Sequence, residues 1–202
     1  MTNFKHFSFD LWLTLIRSNP AFKKERALYF HQKFNPLKKT VAEVEMIFRE
    51  VDLMCNAVNE KSGKNIDADE MYLMVIYKLG NVQETIQAID FSSLYREMET
   101  LFFSYSPVIY HPETSNCLHR IKENSDNTLN ILSNTGFVRG STLRVLLDEL
   151  ALSGFFNFQI YSDEVGISKP NAEIYTLLLK NIHTARKNGQ TGISDIIHIG
   201  DN

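Results

Sequence analysis

The spacing of hydrophobic positions changes twice along the chain. A short apolar run over residues 4–9 ends in Asp10, and short apolar runs return after about residue 107. Between them, apolar residues recur every three or four positions, which indicates amphipathic helices. A short apolar run that ends in a carboxylate is typical of a buried parallel strand with its acid at the carboxyl end. The pattern therefore predicts a first strand, a long helical block and a second, mixed region.

The middle block carries only helical signals. Its apolar stripes predict several helices, the last of them over about residues 93–105, and no convincing strand. The capping signals in the block are Asn19-Pro20, Thr40 with Glu43, and Asp67 with Glu70. We therefore expect a helical insertion between the first strand and the rest of the chain.

From residue 111 onward, helices and strands alternate. The predicted strands cover residues 128–132, 158–161 and 195–199, and the predicted helices cover residues 112–123, 141–150 and 171–187. Strands separated by helices favour a parallel sheet with right-handed crossovers. The predicted fold class is thus α/β, with an inserted helical segment.

Composition and charge narrow the function classes. The 202 residues are 44% hydrophobic and carry a net charge of −3, so no general attraction to nucleic acid or to an anionic membrane is expected. No apolar stretch reaches about eighteen residues, and Asp10 interrupts the first one, so we expect neither a membrane span nor a signal peptide. Two cysteines fit a reducing compartment. We expect a cytoplasmic protein.

Four reactive side chains fall where predicted strands end. Asp10 and Ser133 directly follow strands, Lys169 lies on the loop after a strand, and Asp201 follows the last strand. The carboxyl ends of parallel strands share one edge of the sheet, which is where ligands bind in open α/β folds. The sequence therefore predicts that these four residues converge.

The residue types at these positions suit attack on phosphorus or on carbon. A carboxylate such as Asp10 can attack either atom and form a covalent intermediate that water later cleaves. Ser133 and the main-chain amides at Ser133 and Asn134 can hold phosphoryl oxygens, while Lys169 can neutralise negative charge. A Mg²⁺ ion held by one or two carboxylates would add positive charge.

Two histidines within predicted strands are interpreted as structural. His6 and His198 lie in apolar runs, and neither has the spacing of a metal site. We expect both to be core residues with hydrogen-bonded rings.

Four segments resemble the motifs of the haloacid dehalogenase-like (HAD) superfamily, in the family's order. FSFDLWLTLI is similar to the first motif, ILSNTG to the second, YSDEVGISKPNAEIY to the third and IIHIGDN to the fourth. Each motif alone is weak, but together they frame nearly the whole chain, and SDEVGISKP is the most distinctive of them.

The resemblance implies both an architecture and an activity. It implies a Rossmann-like core formed by residues 1–16 and 108–202, and an α-helical cap domain of the family's first type formed by residues 17–107. It further implies a Mg²⁺-dependent hydrolase that acts on a small phosphorylated metabolite through an aspartyl-phosphate on Asp10.

The resemblance also implies roles for individual residues. Asp10 is the expected nucleophile, Lys169 the second catalytic residue and Ser133 a phosphate binder, with Asn134 and Thr135 as supporting substrate-binding candidates. The expected metal ligands are Asp10, Asp201 and the main-chain carbonyl of Trp12, whose side chain is expected in the pocket wall.

The chain departs from the family pattern at two places. Trp12 occupies the position where the family's phosphatases carry a second aspartate as general acid/base. An indole has no proton to exchange near neutral pH. The family's fourth motif normally continues past Gly-Asp with another acidic residue, a strand and a helix, whereas the sequence stops at Asn202. We therefore expect the core to be truncated at this end.

Two alternatives to a phosphatase stay open. The first is a 2-haloacid dehalogenase in which Asp10 attacks carbon, favoured by an aromatic residue at Trp12 and opposed by the metal-binding acid expected at Asp201. The second is a degenerate member that binds a phosphorylated ligand without turnover. The sequence leaves the substrate and the oligomeric state open.

Overall fold

Strands and helices alternate along the second half of the chain in the computed structural model, which describes residues 4–186 and 191–201. The strands are β1 (His6–Phe9), β2 (Ile16–Arg17), β3 (Val108–Ile109), β4 (Thr128–Ser133), β5 (Phe158–Tyr161) and β6 (Ile196–Ile199). The helices are α1 (Pro20–Lys33), α2 (Val41–Ser62), α3 (Ala68–Lys78), α4 (Gln83–Gln87), α5 (Phe91–Ser104), α6 (Thr114–Lys122), α7 (Gly140–Glu149), α8 (Ser162–Val165) and α9 (Ala172–Ala185).

Four strands form one parallel sheet in the order β5-β4-β1-β6. The chain builds outward from β1 through β4 to β5, and then returns to place β6 on the other side of β1. The order therefore reverses beside β1, and such a switch point opens a crevice at the carboxyl ends of the strands. The predicted α/β class with a parallel sheet is confirmed.

Alternation along β4 explains why both faces of the sheet are covered. All six of its residues are buried. Leu129 and Ile131 point into one apolar cluster with Leu143 and Leu147 of α7, whereas Leu132 points into another with Ile174 of α9. A strand between two helix layers is buried on both faces, so β4 carries apolar residues on each of them. Its buried polar residues Thr128 and Asn130 are hydrogen-bonded to His6.

The helical block packs around an apolar cluster that is largely its own. Buried residues of α1, α2, α3 and α5 form this cluster, and Phe137 from the second half of the chain joins it. All three capping predictions are confirmed. Asn19 caps α1 with Pro20 at the first helical position, and Thr40 with Glu43 and Asp67 with Glu70 form capping boxes. The division into a core and a cap at residues 17 and 107 stays a prediction.

Short elements at the edges of this block were missed. The two-residue strands β2 and β3 pair antiparallel where the block begins and ends, and they are too short to show alternation. The five-residue helix α4 has no buried residue and so leaves no apolar stripe. The predicted end of the last helix, Lys187, and the terminal Asn202 lie outside the described residues. Within the described ranges, no helix combines the length and apolarity needed to cross a bilayer.

His6 is a core residue with both ring nitrogens hydrogen-bonded, as expected. Its Nε2 lies 2.7 Å from Asn130 Oδ1 and its Nδ1 lies 2.7 Å from Thr128 Oγ1. Because the amide oxygen can only accept, Nε2 carries the proton and Nδ1 accepts from the hydroxyl. Burial lowers the pKa of His6 to about 4; the hydrogen bond to Asn130 opposes this shift, and the nearby cation of Arg186 adds to it.

This buried imidazole predicts a specific loss of stability in acid. The pKa of His6 is 6.5 in the unfolded chain and about 4 in the folded chain, so the unfolded state takes up the proton first as the pH falls. The His6 contribution should therefore decline between these values, by roughly 3 kcal/mol in total.

Urea unfolding at pH 7 and pH 4.5 checks this prediction. His6→Gln should lose less of its own stability over this interval than the wild type does. The exposed His111 provides the control, and His111→Gln should keep the wild-type pH dependence. The same change in the free energy of unfolding between pH 7 and pH 4.5 for all three proteins would contradict the prediction.

Candidate active site

The strand register brings the predicted residues to one edge of the sheet. Phe9 of β1 is paired with Ile131 of β4 on one side and with Ile199 of β6 on the other. Asp10 therefore leaves the sheet beside the ends of both neighbours, where Ser133 and Gly200 lie. The predicted convergence of chain segments holds for all these strand ends.

The carboxylate of Asp10 is held at both oxygens. The Asp10 amide donates to the carbonyl of Ile199 at 2.8 Å and so continues the β ladder. The Leu11 amide donates to Oδ1 at 2.7 Å, and Nζ of Lys169 lies 2.9 Å from Oδ2. The side chains of Asp10 and Lys169 are only 12% and 16% exposed. The amide and the ammonium group therefore replace hydration that this shielded carboxylate loses.

Asn134 clamps the loop that carries Lys169. Its Oδ1 accepts from the Lys169 amide at 2.8 Å, and its Nδ2 donates to the Lys169 carbonyl at 3.0 Å. Both ends of one side-chain amide thus fix the backbone of one residue, much as a neighbouring strand would. Asn134 follows β4, so this clamp ties the position of Lys169 to the sheet.

Ser133 and Thr135 occupy buried positions with different surroundings. The Ser133 hydroxyl donates to the Asn134 carbonyl at 3.1 Å and keeps its lone pairs for another donor. The Thr135 amide donates to Ser162 Oγ at 2.8 Å, and Thr135 Oγ1 accepts from the Asp163 amide at 3.2 Å. The polar groups of Thr135 are therefore engaged within the protein, as are those of the Asn134 side chain.

Gly200 lets the last strand pass close to Asp10. A Cβ added to Gly200 would lie 3.3 Å from the Cβ of Asp10 and 3.9 Å from its Oδ2. A larger residue at this position would crowd the Cβ of Asp10. Asp201 follows directly and is exposed, so a second carboxylate leaves the neighbouring strand at the same edge of the sheet.

The donor atoms near this edge fit a hard cation with few protein ligands. The candidates are the carboxylates of Asp10 and Asp201 and the main-chain carbonyl of Trp12, which are all oxygen donors. Among the described residues, no group of three or more His, Cys, Asp or Glu side chains is placed to hold a metal. Mg²⁺ commonly binds one or two carboxylates and keeps several waters, so this set is compatible with it.

The position two residues after Asp10 offers no proton. Trp12 is half-buried and packs against the apolar cluster that contains Phe9 and Leu11. The chain turns sharply after it, because Leu13 adopts a positive φ of 57°. Trp12 thus stands in the first turn beyond β1 with a side chain that cannot serve as a general acid.

The interpretation of His198 as a core residue is wrong. His198 is exposed, because it lies on β6 at the edge of the described sheet, although its Nδ1 lies 2.9 Å from Ser8 Oγ as a satisfied ring would. Sequence reasoning also missed Ser162 and Asn65, which bond to each other, and Ser162 in turn bonds to Thr135. They are 97 residues apart, and no local pattern marks such a pair.

Comparisons with solved structures identify the fold. The chain aligns with YfnB from Bacillus subtilis, described as a HAD-hydrolase bound to magnesium, at a TM-score of 0.69 and 14% identity, covering 99% of this chain and 81% of that one. It aligns with an L-2-haloacid dehalogenase from Xanthobacter autotrophicus at 0.57 and 15%, covering 96% and 69%. A protein of Clostridium difficile described as a phosphatase aligns at 0.61 and 14%, covering 98% and 77%.

The chain therefore has the HAD-like fold, which the sequence motifs predicted, with its Rossmann-like core. No protein-family model matches the sequence, and no curated protein matches it. At 14–15% identity, these likenesses establish the fold and leave the activity to be argued from the site.

Proposed function

We propose that the protein is a Mg²⁺-dependent hydrolase that cleaves phosphate monoesters of small metabolites, with Asp10 as the nucleophile. The observation that carries the proposal is the shielded pair of Asp10 and Lys169 at the switch point of the sheet. A shielded carboxylate paired with a lysine, at the edge where α/β proteins bind ligands, has the position and the partner that covalent catalysis needs.

The proposed reaction has two steps. A carboxylate oxygen of Asp10 forms a bond to phosphorus while the bond from phosphorus to the ester oxygen breaks, and the released alkoxide takes a proton from solvent. Water then attacks the aspartyl-phosphate, which releases inorganic phosphate and restores the carboxylate. Lys169 offsets negative charge on Asp10 and on the phosphoryl group. The Ser133 hydroxyl binds a phosphoryl oxygen by turning its proton away from the Asn134 carbonyl.

Asp10, Asp201 and the Trp12 carbonyl would hold the Mg²⁺ ion, which supplies positive charge to the phosphoryl group when bound. We assign Asn134 and Thr135 to the support of the site and not to substrate contact, because their side chains are bonded to Lys169, Ser162 and Asp163.

The helical block at residues 17–107 is proposed to act as a cap over this edge of the sheet. Phe137, which follows the Asn134–Thr135 loop, is buried in the apolar cluster of that block. Arg139, at the start of α7, pairs with Asp69 of α3 at 2.5 Å. These contacts support a cap that excludes water and selects the substrate. The free cysteines Cys55 and Cys117 suit the cytoplasm.

Asp10→Asn tests the nucleophile. With p-nitrophenyl phosphate and Mg²⁺, this substitution should lower kcat by at least about a thousandfold, because an amide oxygen cannot form the phosphoryl intermediate. The control is Asp148→Asn, which makes the same chemical change at an exposed position on α7. Full activity in Asp10→Asn would eliminate this mechanism, and an inactive wild type that binds phosphate would leave a ligand-binding protein.

A dehalogenase is the second candidate, because Trp12 cannot protonate a leaving group and a halide ion needs no proton. In that reaction an Asp10 oxygen forms a bond to carbon as the carbon–halogen bond breaks, and water then cleaves the ester. The Xanthobacter autotrophicus dehalogenase, which shares the fold, was solved with chloropropionic acid covalently bound.

Halide release separates the two candidates. We expect no chloride from 2-chloropropionate, and we expect phosphatase activity that disappears on addition of a metal chelator and returns with Mg²⁺. Chloride release that persists in the presence of chelator would reverse the assignment. Heat-inactivated protein and Asp10→Asn control for spontaneous hydrolysis of the substrate.

Trp12 predicts a dependence on the leaving group. The wild type should strongly prefer p-nitrophenyl phosphate over an alkyl ester such as glycerol 3-phosphate, because nitrophenolate leaves without protonation. Trp12→Asp should raise kcat/KM for the alkyl ester by about tenfold or more, since a positioned acid contributes about 10²–10⁴. In Trp12→Asn the new side chain has nearly the size of aspartate but no titratable proton, so this variant should give no gain in kcat/KM. An equal gain in both variants would assign the effect to space and not to proton transfer.

A further inference from the structure

The loop between α2 and α3 reaches across to the loops that carry Lys169 and Thr135. Gly63 ends α2 with a positive φ of 68°, and its carbonyl accepts from the Ser168 amide at 3.2 Å and from Asn171 Nδ2 at 3.1 Å. A Cβ on Gly63 would lie 2.7 Å from Asn171 Nδ2. Ser168 and Asn171, which lie on either side of Lys169 in the sequence, thus both donate hydrogen bonds to the Gly63 carbonyl of the helical block.

Asn65 fastens the same loop to Thr135 through a hydroxyl. Ser162 Oγ lies 2.7 Å from Asn65 Oδ1, 2.8 Å from the Thr135 amide and 3.1 Å from Thr135 Oγ1. Ser162 is fully buried. Solvent therefore does not reach its hydroxyl, which must find its hydrogen-bond partners within the protein.

The directions of these hydrogen bonds can be assigned from chemistry. Asn65 Nδ2 lies 2.8 Å from a carboxylate oxygen of Asp67, which only accepts, so the amide oxygen of Asn65 must face Ser162. Ser162 then donates its one proton to Asn65 and accepts from the Thr135 amide. Thr135 Oγ1 accepts from the Asp163 amide and so donates to Ser162. One consistent series of hydrogen bonds therefore connects the loop after β4 to Asn65.

We infer that Asn65 is a positioning residue, through which the helical block fixes the Thr135 loop and, with Gly63, the loop of Lys169. It acts on the reaction through Ser162, Thr135 and Asn134, and it touches neither substrate nor metal. Thr135 follows Asn134, whose side chain binds the backbone of Lys169. The hydrogen bonds of Asn65 and those of Gly63 therefore both constrain Lys169, the ion-pair partner of Asp10. This inference rests on the proposed function, because it assigns Asn65 to the same reaction.

The test compares Asn65→Ala with the double variant Asn65→Asp/Asp67→Asn. Alanine removes the acceptor assigned to the Ser162 proton. The double variant keeps an oxygen there and exchanges the amide and the carboxylate of the contact between residues 65 and 67, so that no two carboxylates meet. With p-nitrophenyl phosphate and Mg²⁺, kcat of Asn65→Ala should fall by about tenfold, because a small displacement of Lys169 weakens charge compensation in the transition state. KM should change less than about twofold, since Asn65 makes no substrate contact. The double variant should recover most of kcat.

Amide hydrogen exchange provides a readout that does not depend on turnover. The Thr135 and Lys169 amides should exchange faster in Asn65→Ala than in the wild type, and near the wild-type rate in the double variant Asn65→Asp/Asp67→Asn. Asn56→Ala makes the same substitution at an exposed site on α2 and should match the wild type in both measurements. Urea unfolding of each variant identifies the conditions under which all are folded.

The outcomes separate this inference from the proposed function. An active wild type with unchanged kcat in Asn65→Ala would overturn the inference and leave the phosphatase proposal intact. An inactive wild type would refute the phosphatase proposal and, with it, a role for Asn65 in that reaction. Unchanged exchange at Thr135 would overturn the positioning itself.

Discussion

The shielded ion pair between Asp10 and Lys169 is the constraint on which the rest of the site depends. Removing either charge from water is unfavourable unless the partner and further hydrogen bonds replace the lost hydration. The Leu11 amide supplies one such bond to Asp10, and Asn134 holds the backbone of Lys169 from both sides. Gly200 contributes by having no side chain, so that the neighbouring strand can pass beside the carboxylate. The central place of β1 in the sheet brings these contributions to one edge.

Polar groups around this pair serve mostly to hold backbone in place. The side chain of Asn134 binds the backbone of Lys169. Thr135 bonds to Ser162 and accepts from the Asp163 amide. Buried polar groups that are fully paired specify one arrangement, because any displacement leaves a donor or acceptor without a partner. The chain of bonds through Ser162 extends this frame to Asn65 in the helical block. The geometry beside Asp10 is therefore tied to a segment that is distant in the sequence and supplies none of the proposed reactive groups.

The chemistry of Trp12 decides which leaving groups the proposed reaction tolerates. Phosphate esters and haloacids differ in whether the departing atom needs a proton, and an indole provides none. Solved structures with this fold include proteins described as phosphatases and as dehalogenases at 14–19% identity, so the fold itself does not distinguish the two. Asp201, one strand away from Asp10, is the feature that favours the proposed metal-dependent phosphatase over a dehalogenase.

The local pattern of the sequence was sufficient for the longer elements and for the edge where the reactive residues meet. Short apolar runs located β1, β4, β5 and β6, period-3.6 hydrophobicity located the long helices, and the four motifs indicated the HAD-like fold. Elements of two to five residues, such as β2, β3 and α4, carried too little apolar periodicity to be found. The exposure of His198 and the partners of Asn134, Thr135 and Asn65 were decided by tertiary structure alone. Apolar periodicity reports how a segment meets a core, whereas a hydrogen bond between residues 97 positions apart depends on how separate segments pack.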